Sequence, residues 1–93
     1  MKVERSIMPG CCGKKQIIFK LDRPIQRPFI DFLVSNGFIE QTQYTAVGMA
    51  YVNNSVFILT APIGTDRVNV KCKQGDCNDQ LLNDLEELLI KME

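Results

Sequence analysis

YTAVGMAYVNNSVFILTA, residues Tyr44 to Ala61, is the stretch on which the fold turns. Two β-favouring apolar runs flank Asn53-Asn54. Asn tolerates the positive φ that a two-residue hairpin turn requires. The stretch therefore reads as a hairpin in which Val52 faces Ser55, Tyr51 faces Val56, Ala50 faces Phe57 and Met49 faces Ile58. Side chains alternate faces along a strand. One face then carries Val47, Met49, Tyr51, Val56 and Ile58, with Thr45 and Thr60 at its end. The other carries Ala46, Gly48, Ala50 and Val52 with Phe57, Leu59 and Ala61.

Neither face is polar, whereas an antiparallel sheet with one wet side alternates apolar and polar positions. The small residues Ala46, Gly48 and Ala50 admit a helix at close range, so helices are expected on that face. Val47, Met49, Tyr51, Val56 and Ile58 are left uncovered. Large apolar patches mark interfaces. The expected cover is a second copy of the chain, making a homo-oligomer.

Working outward, Pro62-Ile63-Gly64-Thr65-Asp66 is a turn. Arg67–Cys72 then alternates, with Val68, Val70 and Cys72 pointing in, and extends the hairpin to a three-strand meander. Upstream, Gln16–Asp22 is a strand with Ile17, Phe19 and Leu21 on one side. Pro28–Asn36 is a helix, since Pro suits the first helical position, where its missing N–H costs nothing. Gly37 supplies a left-handed stop, and Phe38 folds back on Leu33. Ile39–Gln43 is a polar link. Asp79–Met92 is a second helix with an apolar stripe from Leu81 to Met92; Asp76, Asn78 and Asp79 are its capping candidates.

Residues 1–15 read as an irregular or tail segment with a cysteine pair, although Val3, Arg5 and Ile7 alternate weakly enough to admit a short edge strand. Residues 16–93 read as one α+β domain. The expected architecture is a two-layer sandwich, β-α-β-β-β-α, with a four-stranded, mostly antiparallel sheet and two helices on one face. A helix that crosses back in the usual way makes the first and last strands parallel.

A chain of 93 residues with 45% hydrophobic and 24% charged residues is globular rather than disordered. No segment is long enough to span a membrane, and the N-terminus lacks the apolar run of a secretory signal. A cytoplasmic location is expected, with the cysteines reduced or metal-bound. Charge is uneven. Lys2, Arg5, Lys14, Lys15, Lys20, Arg23 and Arg27 against Glu4 and Asp22 give residues 1–27 a net +5, and residues 28–93 carry −5. Lys14, Lys15, Lys20, Arg23 and Arg27 are thus candidate nucleic-acid contacts. The bland alternative is a solvated surface, or one paired with the acidic C-terminal helix. Tyr51 with Lys20, Arg67 or Lys71 is a further candidate, combining a stacking ring with phosphate-binding cations on the open face.

Cys11, Cys12, Cys72 and Cys77 form two pairs, and four thiolates are a ligand set for structural zinc. Adjacent cysteines depart from the usual spacing of about two to four residues. Parallel first and last strands would also start the two pairs at opposite ends of the sheet. The bland reading makes Cys72 a core thiol continuing Val68 and Val70. With no His, Ser-His-Asp, Cys-His and His-metal sites are excluded. The carboxylates of the second helix read as caps and a solvated face, not as a general acid and base. The expected function is a small non-enzymatic binding or assembly module; a nucleic-acid accessory protein and a four-cysteine zinc protein are the alternatives.

Overall fold

Alternation along each strand builds one continuous apolar surface, and two amphipathic helices close over it. The computed structural model describes residues 1–9, 15–75 and 77–92. The elements are β1 (Val3–Pro9), β2 (Lys15–Leu21), α1 (Arg27–Ser35), β3 (Ile39–Glu40), α2 (Thr42–Thr45), β4 (Met49–Asn53), β5 (Phe57–Pro62), β6 (Arg67–Cys72) and α3 (Asp79–Ile90). The strands form one sheet in the order β1-β2-β6-β5-β4-β3, with every pair antiparallel. The α+β class with an antiparallel sheet is as expected. The element count is not: six strands and three helices replace four and two.

The inner face presents Ile17, Phe19, Leu21, Ala50, Val52, Phe57, Leu59, Ala61, Val68 and Val70, all buried. Against it α1 buries Phe29, Ile30 and Leu33, and α3 buries Leu82, Leu85 and Leu89. Ile25 in the β2–α1 loop is fully buried. It precedes the N-cap Gln26, and Ile30 lies in the first turn, the positions of a hydrophobic staple. At the other end of α1, Gly37 has φ 94°. Phe38 N–H donates to the Leu33 carbonyl at 3.1 Å and Gly37 N–H to that of Val34 at 3.3 Å, a Schellman cap. Asn78 caps α3 by accepting from Leu81 N–H at 2.8 Å.

Four expectations are corrected. First, residues 1–15 contain a full edge strand, running from Val3 opposite Leu21 to Pro9 opposite Lys15. Its alternation is weak in sequence because one inward position is Arg5, whose guanidinium bonds Asn83 at 2.7 Å and Glu86 at 2.8 Å on α3. Second, the link after α1 contains β3, paired to β4. One extra strand reverses the direction of all that follow. β6 is therefore antiparallel to β2, not parallel, and the start of β2 lies beside the end of β6.

Third, the hairpin turns later. Val52 faces Leu59 and Tyr51 faces Thr60, with Ser55-Val56 at the tip. Asn54 Oδ1 accepts from the Val56 and Phe57 N–H groups at 2.9 and 2.7 Å. This hydrogen-bonding turn competes with positive φ for the asparagines and wins. The shift is an even number of residues, so each side chain keeps its face. Fourth, residues 44–48 are not strand. Thr42–Thr45 is a helical turn, and Gly48, at φ 86°, is its left-handed exit into β4.

Candidate functional site

The second face of the sheet has no layer on it among the described residues except at one corner, where α2 sits. Its strand positions follow from the pairing: Glu4, Ser6 and Met8; Gln16, Ile18 and Lys20; Arg67, Asn69 and Lys71; Ile58, Thr60 and Pro62; Met49, Tyr51 and Asn53; Ile39. Ile18, Met49, Tyr51 and Ile58 are half-buried by their own neighbours. Lys20, Arg67 and Lys71 are exposed. Asn69 and Thr60 stand in the middle, with Gln16 donating to Asn69 Oδ1 at 3.0 Å. The only acid among these strand positions is Glu4, on the outer edge. The face is thus mixed, apolar patches among amides and cations, where the hairpin alone suggested grease. The flanking strands β2 and β6 supply the polar half.

At the β4 corner, α2 carries Tyr44 over this face. The Tyr44 and Tyr51 rings stack at 4.8 Å between centroids and 18° between planes. Beside the stack is a shallow open cleft of about 270 Å³, lined by Gln41, Gln43, Tyr44, Tyr51, Asn53, Ile58 and Lys73. Lys73 is fixed twice. Its backbone N–H donates to the Val56 carbonyl at 2.9 Å, and its Nζ donates to Asn53 Oδ1 at 3.2 Å. Tyr44 was not legible as a site residue. On a continuous strand its parity places it opposite Tyr51, and only the helical turn brings the rings together. The signal available was Gly48, a left-handed stop read as a small strand residue.

The five residues expected at a self-association surface divide. Met49, Tyr51 and Ile58 share the uncovered face; Val56 is at the hairpin tip; Val47, 79% exposed, follows α2. The five candidate basic contacts are not gathered. Lys14 and the side chain of Lys15 lie outside the described residues. Arg23 pairs with Asp22 at 3.2 Å. Arg27 makes a two-pronged pair with Glu40, both contacts at 2.8 Å, and reaches Asp31 at 3.0 Å. Arg27 holds the Glu40 carboxyl below the usual range, and Glu40 in turn raises the Arg27 guanidinium. Asp22 is likewise lowered, first by the Lys2 N–H and then by Arg23. Of the candidates whose side chains are described, only Lys20 stands on the uncovered face, beside Arg67 in the pairing. Arg5 meets Glu86 on α3, as the self-paired reading of the basic front expects.

Cys72 and Cys77 form a disulfide that ties the end of β6 to the start of α3, with Cα atoms 5.3 Å apart. This departs from the expectation of reduced thiols. Bridged cysteines and a four-thiolate zinc site are mutually exclusive states of the same residues. Cys11 and Cys12 lie outside the described residues, and among those described no three metal-binding side chains cluster. Since β2 starts where β6 ends, Pro9 and Lys15, the described residues on either side of Cys11 and Cys12 in sequence, lie at the Cys72 end of the sheet, not the opposite one. Among the described residues no helix is long and apolar enough to cross a membrane. No protein family, curated protein or solved structure matches the chain.

Proposed function

We propose that the protein is a non-enzymatic binding module, that its working surface is the uncovered sheet face, and that its partner is a polyanion. One observation carries this reading: Lys20, Arg67 and Lys71 project from that face and Lys73 lines its cleft, while its strand positions hold one acid, at the edge. A field of one sign over a partly apolar surface attracts an extended chain of phosphates or carboxylates. The sheet edges offer no competing mode of strand addition. The β1 edge carries the inward charge Arg5, and β3 at the other edge is two residues long, both recognised guards against edge pairing.

The test is binding to a sulfated or phosphorylated polyanion as salt is raised. The reading expects binding at low salt that weakens steeply with added salt, as counterion release requires. Reversing two charges, Arg67→Glu with Lys71→Glu, abolishes it. No binding at low salt overturns the reading.

Self-association through the same face is the second reading, favoured by the half-buried Met49, Tyr51 and Ile58 and the exposed Val47. Light scattering decides it. A dimer that Ile58→Glu dissociates supports it, and a monomer at micromolar concentration ends it.

A further inference from the structure

We infer that the Tyr44–Tyr51 cleft is a nucleobase-stacking site and that the polyanion is single-stranded nucleic acid. This rests on the polyanion reading and specifies its partner. Three features converge on one corner of the uncovered face. The first is the aromatic stack. Tyr51 packs against the Tyr44 ring at 4.8 Å between centroids, yet Tyr44 remains 43% exposed and lines the cleft, which leaves it surface for a third ring. Bases stack on exposed aromatic side chains whatever their sequence, because every base has a π-face.

The second is the polar rim. Gln41, Gln43 and Asn53 border the cleft. Each amide offers both a donor and an acceptor, the pairing that base edges require. Among the described residues no carboxylate lines the cleft, and a phosphate chain would be repelled by one. The third is the cation track. Lys73 is tethered at the cleft by Asn53 Oδ1, and β6 carries Lys71 and Arg67 away from it along the same face, roughly 13 Å apart at strand spacing. A base on Tyr44 places the adjoining backbone over these cations.

Duplexes are disfavoured because stacking on Tyr44 requires an unpaired base, and a sheet face cannot enter the narrow groove of an A-form helix. A second copy is disfavoured because face-to-face docking opposes Lys20, Arg67 and Lys71 to their own equivalents, and interface cores are poor in Lys.

The experiment is fluorescence anisotropy at low salt with a labelled mixed-sequence single-stranded oligonucleotide, the same sequence as duplex, and heparin as a polyanion without bases. Wild type, Tyr44→Ala, Tyr44→Phe and Lys73→Ala are compared after circular dichroism shows each folded. The single strand binds more tightly than the duplex. Tyr44→Ala weakens it by roughly 5- to 150-fold, the range of one lost base stack. Tyr44→Phe retains it, Lys73→Ala weakens it, and heparin is indifferent to Tyr44→Ala. If the single strand binds but Tyr44→Ala has no effect, the stacking site is overturned and the polyanion reading stands. If neither oligonucleotide nor heparin binds, both are overturned. A dimer broken by Tyr44→Ala, with no oligonucleotide bound, assigns the cleft to a second copy and overturns the inference.

Discussion

Single residues set the local geometry. Gly37 closes α1 at φ 94°, and a Cβ there meets nothing within 4 Å. The penalty of a side chain is then conformational alone. Gly37→Ala is expected to cost about 1 kcal/mol in urea unfolding, and Gly37→Asn less, because Asn visits the left-handed region more readily. An equal loss for both would point to a steric cause. Asn54 holds the hairpin tip through two backbone N–H groups. Removing its acceptor leaves both donors short, so Asn54→Ala is expected to lose about 1–3 kcal/mol in the same measurement. Glu40 gives a pH signature. Its folded pKa is depressed by Arg27, so its contribution is fully present above the usual glutamate value of about 4.3 and fades as pH falls through the folded value. Urea midpoints of wild type and Glu40→Gln are expected to differ at neutral pH and to converge on acidification. A gap that widens toward low pH would contradict the pairing.

Elements were legible where their periodicity was unbroken. Ile17, Phe19 and Leu21 in β2, Val68 and Val70 in β6, and the leucine stripe of α3 all stand on the expected face. The Gly37 stop was legible because the residue type and the following Phe38 have one joint use. Elements failed where a residue served a partner remote in sequence. Arg5 interrupts β1 because α3, some eighty residues on, supplies Glu86. β3 is too short to show a period, yet it sets the direction of every later strand. Tyr, Thr and Val before Gly48 favour strand individually, but the turn is decided by Gly48 and by Tyr51, on which Tyr44 packs. The uncovered face was therefore half legible: its apolar members were in the hairpin, and its cations lay on strands whose neighbours were not yet known. An element-scale prediction follows from Arg5. Replacing this inward charge by Val leaves β1 apolar on that side and its edge unguarded. Both Arg5→Val and Arg5→Lys are expected to stay folded by circular dichroism, with light scattering that grows with concentration for Arg5→Val alone. A monomeric Arg5→Val would show that the edge is protected by other means.

Across the fold, α1 and α3 shelter one side of a six-stranded sheet, while among the described residues only α2, at one corner, sits on the other. Asymmetry of charge sharpens this division. The basic front seen in the sequence is partly spent within the fold, on Glu86, Asp22 and Glu40, while the cations that remain over the sheet come from both halves of the chain. A partner of the kind proposed is expected to meet the uncovered face and not the helices. Methyl-resolved NMR of the protein titrated with a single-stranded oligonucleotide tests it most directly. The account predicts that the methyl signals of Ile18, Met49 and Ile58 shift while those of Val34 on α1 and Ile90 on α3, both exposed, stay in place. Movement of Val34 or Ile90 with Ile18, Met49 and Ile58 unmoved would contradict it.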